Sequence, residues 1–229
     1  MGSFWSNART VAVHPSFVLQ YLRLRHLLSN LLGVPSNVIE ELFDEVGPFT
    51  ETVYETLADY PNLGQMHMRK NQVLYAIVRL LKPKLVIETG VAAGISSAYI
   101  LKALDCNEQG KLISIDVGRK QFDGILLPSD KPVGWLVPDE LRGRWTLKIG
   151  SSKQLLQPSL GKEEVDVFLH DSEHSYENMM FEFETVWQRL RNGGVIISDN
   201  VEWNKSFGVF CHSKGAHCIK LFGLGVALK

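Results

Sequence analysis

Five short apolar runs in this 229-residue chain end in polar residues whose chemistry is that of an enzyme site: Glu88, Asp116, the pair Ser152 and Lys153, Asp171, and Asp199 with Asn200. Asp171, Asp199 and Asn200 make a hard, all-oxygen donor set of the kind that suits Mg²⁺, with its remaining positions left to water or substrate. Such an ion acidifies a bound hydroxyl as a Lewis acid. The alternative is that Asp199 and Asn200 only start a turn. His174 follows Asp171 by three residues and can serve as a general base, since a histidine near its ordinary pKa of about 6.5 keeps a neutral form at pH 7. Asp171, Glu173 and Glu177 around it could instead hold a structural imidazolium.

Residues 84–97, KLVIETGVAAGISS, carry the second piece of chemistry. Leu85, Val86 and Ile87 suit a strand buried on both faces, with Glu88 at its end. Gly90 and Gly94 allow a sharp turn and close approach of a ligand, and Ser96 stands at a helix N-terminus, where backbone amides lack intrahelical partners. A pyrophosphate site wants glycines two and then three residues apart and no anion beside them. Here the glycines are four apart. The carboxylate of Glu88 repels a pyrophosphate and attracts an ammonium, such as the amino end of a methionine moiety. Spacing and charge together favour S-adenosylmethionine over a dinucleotide. Asp116 ends the run LeuIleSerIle and can accept hydrogen bonds from both ribose hydroxyls. Ser152 and Lys153 can reach an adenine edge, or the serines at 151 and 152 can cap the next helix.

These residues need a scaffold that gathers strand ends. Apolar runs at 85–88, 112–116, 145–149, 165–170 and 195–198 alternate with helical patterns, which predicts an α/β fold, a doubly wound, mostly parallel sheet of the Rossmann-like kind. In such a sheet the ligand crevice lies at the carboxyl ends of the strands. Residues 1–82 read as a helical cap (16–32, 36–46, 50–59, 65–81) rather than an independent domain, and 83–229 as the cofactor-binding domain. In the first helix Phe17, Tyr21, Leu24, Leu28 and Leu31 form an apolar stripe, which packs on its own domain or forms a homodimer seam. Residues 117–138 read as a long irregular stretch walling the substrate side. The tail, 207–228, reads as an antiparallel hairpin turning at Lys214 and Gly215, with Cys211 facing Cys218 and His212 facing His217 on opposite faces, which argues against a single zinc site.

Composition narrows the partners. With 24 basic and 25 acidic residues the formal charge is −1 and nothing suggests a nucleic-acid binder, while 45% hydrophobic content supports a sizeable core. No apolar run reaches the length of a membrane span, and three scattered cysteines fit a reducing compartment, so the expectation is a cytoplasmic protein acting on a small molecule.

From about Lys84 onward the chain resembles class I S-adenosylmethionine-dependent methyltransferases, in ETGVAAG, the acid of LISID, GSSKQLL after the third strand, and the terminal hairpin. HDSEHSYENM followed by GGVIISDNVEWN is similar to small-molecule O-methyltransferases of the cephalosporin and sugar type. Asp171, with Asp199 and Asn200 twenty-eight and twenty-nine residues later, resembles the metal triad of catechol O-methyltransferases. The resemblance implies Glu88, Gly90, Gly94 and Ser96 around the methionine end, Asp116 on the ribose, Ser152 and Lys153 near adenine, Asp171 beside both cofactor and acceptor, and Mg²⁺ on the triad. Where the catechol family carries a lysine base, this chain has His174. The expected activity is metal-assisted methylation of a small-molecule hydroxyl, with Trp135 and Trp203 walling the acceptor. A metal-independent enzyme or a non-catalytic cofactor-binding module is the alternative.

Overall fold

The computed structural model describes residues 15–60, 68–119, 121–122 and 125–229. Five parallel strands, β1 (Leu85–Thr89), β2 (Lys111–Asp116), β5 (Trp145–Ile149), β6 (Val165–His170) and β7 (Leu190–Ser198), join antiparallel β8 (His217–Leu221) and β9 (Leu224–Leu228). The seven lie in the order β5-β2-β1-β6-β7-β9-β8, while β3 (Gln121–Phe122) and β4 (Ile125–Leu126) pair separately. β1 and β6 are buried along their whole length, as parallel strands covered on both faces are, with apolar runs at 85–87 and 167–169. The strand order reverses between β1 and β6, which opens a crevice at their carboxyl ends.

Side chains alternate between two apolar layers. Val86, Leu112, Val167, Leu169, Val195 and Ile197 face α5 (Ile95–Cys106) and the N-terminal helices α1 (Pro15–Leu32), α2 (Ser36–Glu45), α3 (Gly47–Leu57) and α4 (Met68–Leu81). Leu85, Ile87, Ile115, Phe168 and Ile196 face α6 (Ser152–Leu160), α7 (Tyr176–Trp187) and α8 (Ser206–Lys214). The N-terminal helices thus share one core with the sheet. Leu24, Leu28 and Leu31 are buried in that core with Ile39 and Phe43; the side chains of Phe17 and Tyr21, like that of Phe122, lie outside those described. Among the described residues no helix is long and apolar enough to cross a membrane.

The tail departs from the sequence expectation. Residues 206–214 form α8, and the hairpin is β8–β9, turning at Phe222 and Gly223, both at positive φ. Phe207, Phe210 and Cys211 are buried at helical spacing, the Asn204 side chain accepts the Ser206 amide at 2.8 Å, and Gly215 ends the helix in the left-handed region. Cys211 and His212 therefore stand on a helix and face no cross-strand partner; Cys218 and His217 pair with Ala227 and Leu228. Cys211 still meets Cys218 in the core, and burial followed by the neighbouring sulfur pushes its thiol up to about 12.

Candidate active site

The chain leaves β1 through a tightly held turn. The Asp171 amide donates to Thr89 O and the Gly90 amide to Ile115 O, each at 2.8 Å. Gly90 has φ +84, and a Cβ on it would fall 1.9 Å from the Asp171 carbonyl oxygen. Gly94, at φ +97, is the N-cap of α5, and a Cβ there would lie 2.8 Å from Gly134 Cα. Close approach of chain to chain, together with positive φ, is what requires both glycines. The 117–138 stretch, which contains β3 and β4, docks on this turn: the Gly134 amide donates to Ala92 O and the Leu136 amide to Ala93 O, both at 2.9 Å. Trp135 there packs edge-on to Tyr60 at 4.8 Å, on the side of the helical layer.

Glu88 lies on the same face of β1 as Val86 and is fully buried. Its carboxylate accepts the hydroxyls of Ser96, Ser97 and Ser114, each at 2.6 Å. Burial pushes its pKa up, with the Asp116 charge adding and the three hydroxyls opposing. Ser96 is thus committed to Glu88. Asp116 takes the Val91 and Ala92 amides on Oδ2 at 2.8 and 3.0 Å and the Gly118 amide on Oδ1 at 2.6 Å. A carboxylate offers about four acceptor positions, so this half-buried group retains capacity for a hydroxyl. Ser152 opens α6, its hydroxyl 3.5 Å from Asn178 Oδ1, and Lys153 is exposed.

The acceptor side gathers at β6 and β7. The Asp199 amide donates to His170 O at 2.9 Å, which sets Asp199 beside Asp171. His174 Nε2 lies 3.7 Å from Asp171 Oδ1 and 3.5 Å from Asn200 Nδ2. Its ring stands 5.0 Å from that of Trp203, which is 60% exposed, and its carbonyl accepts from Asn204 at 2.8 Å. Burial, and then the charges of Asp199 and Glu88, push the Asp171 carboxyl well above its ordinary range, with Lys70 opposing. Asp171, His174, Asp199, Asn200 and Trp203 therefore converge, while Trp135 lies over the Ala92–Ala93 turn.

Two features escape the sequence. Lys70, in the first turn of α4, forms an ion pair with Asp199 Oδ1, their side chains 13% and 7% exposed. Beneath the crevice, fully buried His170 meets Glu182 through Nδ1 at 2.7 Å, and Glu182 also accepts Thr89 Oγ1 at 2.5 Å, Ser172 Oγ at 2.8 Å and Asn178 Nδ2 at 3.1 Å. Asn178 and Glu182, four apart on one face of α7, are the signal that was available for this network.

The expected Mg²⁺ site fails a test of charge. The ammonium of Lys70 already neutralises Asp199, one of the two carboxylates of the expected donor set. Two unit charges about 4 Å apart at an effective dielectric near 20 interact by roughly 4 kcal/mol, so a divalent ion meets twice that repulsion from the ammonium, which offsets the attraction of one of the two carboxylates. With Lys70 in place the donor set does not fit the ion.

The fold is that of O-methyltransferases of known structure. An O-methyltransferase from Bacillus cereus, solved in complex with SAH, is 16% identical, aligns over 90% of this chain and 97% of its own, and gives a TM-score of 0.58. The O-methyltransferase of tomaymycin synthesis from Streptomyces achromogenes, in complex with SAM, is 17% identical over 91% and 97%, with a TM-score of 0.55. A methyltransferase from Geobacter sulfurreducens is 16% identical over 96% and 98%, with a TM-score of 0.58. No curated protein sequence matches the chain. The profile of a family described as "Methyltransferase domain" matches residues 87–201, from the middle of β1 to just beyond Asn200. Covering half of the sequence and every strand end discussed above, that match shows that the chain belongs to the methyltransferase-domain family.

Proposed function

We propose that this enzyme transfers the methyl group of S-adenosylmethionine to a hydroxyl oxygen of a small molecule. The observation that carries the reading is the meeting of Asp171, His174 and Asn200 beside the Gly90 turn, which sets a proton-accepting group next to a cofactor turn. The SAH and SAM held by solved proteins of the same fold support the cofactor. The chain's own residues suit it: Asp116 keeps acceptor capacity for a ribose hydroxyl, and the N-terminus of α5 has no side-chain cap.

Bound cofactor supplies a sulfonium methyl, so that the acceptor oxygen forms the new C–O bond as the C–S bond breaks and its electron pair stays on sulfur. His174 Nε2 takes the proton of the acceptor hydroxyl, and the Asp171 carboxyl, 3.7 Å from that nitrogen, faces the imidazolium that results. Exposed Trp203, its ring 5.0 Å from that of His174, offers an apolar wall to the acceptor. Positioning of the two reactants supplies most of the rate. Magnesium has no part in this reading, because Lys70 stands on Asp199. Pairing of two copies through the N-terminal helices would use faces other than that of Leu24, Leu28 and Leu31, which are buried within the chain.

The test is transfer of labelled methyl from S-adenosylmethionine across a panel of phenols and sugars, with His174→Ala run in parallel. An added methyl on the product and a loss of about 100-fold or more in the variant are expected, the usual range for a general base. Transfer by His174→Ala at the wild-type rate would remove His174 from its role.

A further inference from the structure

We propose that the ε-ammonium of Lys70 takes the place of a divalent cation at the acceptor end of the crevice, anchored on Asp199 and presented to the acceptor oxygen. The reaction in question rests on the methyl-transfer reading; the cation site does not. Three observations carry it. The Lys70–Asp199 pair is almost wholly removed from solvent, so that the charge works in a site of low polarity. Asp199 is itself fixed by the main chain, its amide donating to His170 O at 2.9 Å, so the carboxylate holds Lys70 at the carboxyl end of β7. The β8–β9 turn closes in behind it: a Cβ on Gly223 would lie 3.4 Å from Lys70 Nζ, and the Gly223 carbonyl accepts the Val201 amide at 2.9 Å, tying that turn to the segment after Asn200.

An ammonium has three donors, and Asp199 uses one. The others are available to an oxygen brought beside Asp171 and His174. The acceptor proton goes to His174, the C–O bond forms as C–S breaks, and the Lys70 ammonium stabilises the negative charge that grows on oxygen before the bond is complete.

The test uses Mn²⁺ as the probe, followed by electron paramagnetic resonance of the full chain. Wild type is expected to leave the signal of aqueous Mn²⁺ unchanged, Lys70→Met to bind one Mn²⁺, and Lys70→Met with Asp199→Asn to lose it again. On an acceptor from the panel, wild-type turnover is expected to be unaffected by EDTA, and Lys70→Met to lose about 100-fold or more in kcat, the scale of removing one preorganised donor, with the Kd for S-adenosylmethionine within threefold of wild type. Mn²⁺ binding by wild type, a folded Lys70→Met that binds none, or Lys70→Met turnover at the wild-type rate would each overturn the proposal. Should Lys70→Met not fold, Lys70→Arg, expected to exclude Mn²⁺, and the wild-type titration decide it. Failure of wild type to bind S-adenosylmethionine would count against the methyl-transfer reading alone, since the Mn²⁺ result is independent of turnover.

Discussion

Gly90 lies against the main chain of Asp171 so closely that a Cβ would fall 1.9 Å from the Asp171 carbonyl oxygen. The turn that would hold the methyl donor and the strand end that would hold the acceptor are thereby fixed to one another. Gly90→Ala must relieve that clash and also place a side chain at φ +84, and each cost is of order 1–3 kcal/mol. A fall of more than about 2 kcal/mol in unfolding free energy is expected by chemical denaturation, with a loss of cofactor affinity larger than that of Gly161→Ala, where φ is also positive but nothing lies near the added atom.

Asp116 holds the same turn from the other side. Asp116→Asn turns an amide NH₂ toward backbone N–H groups of Val91, Ala92 or Gly118 that now donate to carboxylate oxygen. A buried donor left without its acceptor costs about 1–3 kcal/mol, and calorimetry should report cofactor binding weakened tenfold or more.

Glu88 contributes a pH signature. Its folded-state pKa is raised by burial, so the proton is bound more tightly in the fold than in the unfolded chain. The stability it contributes is fully present below its ordinary value of 4.5 and is lost as pH rises through the folded value. Glu88→Gln, which mimics the neutral form, is therefore expected to gain stability relative to wild type as pH goes from 4 to 8. Parallel stability profiles for the two proteins would contradict this.

Glu182 behaves in the opposite sense. Burial pushes its carboxyl up, but the charge and hydrogen bond of His170, with the hydroxyl of Thr89, outweigh it and bring the pKa down to about 2. The stability this gives is present above 4.5 and disappears as pH falls toward 2. Glu182→Leu leaves His170 buried without its partner and should cost about 3–5 kcal/mol at pH 7. The difference from wild type should shrink in acid, as urea unfolding at pH 7, 5 and 3 would reveal.

The parallel strands were legible because a strand covered on both faces is apolar over most of its length, as Leu85 to Ile87 and Val167 to Leu169 are. The convergence of Asp171, His174 and Asn200 followed from the rule that ligands collect at strand ends. Sequence places Glu88 at a strand end without saying which face it takes; the period of two puts it with Val86, toward the serines of α5 and β2. α8 was hidden by a window of nine residues in which Phe207, Phe210 and Cys211 fit a strand edge almost as well as a helix. Lys70 could not be read at all, since its partner lies 129 residues away and only the packing of α4 on the sheet brings them together.

The central claim is that the crevice is a methyl-donor site that needs no divalent ion. Titration calorimetry of the whole chain with S-adenosylmethionine, in EDTA and then in Mg²⁺, tests it most directly. One cofactor bound per chain with the same affinity in both conditions is the predicted result; no binding in either, or binding that appears only with Mg²⁺, would contradict it.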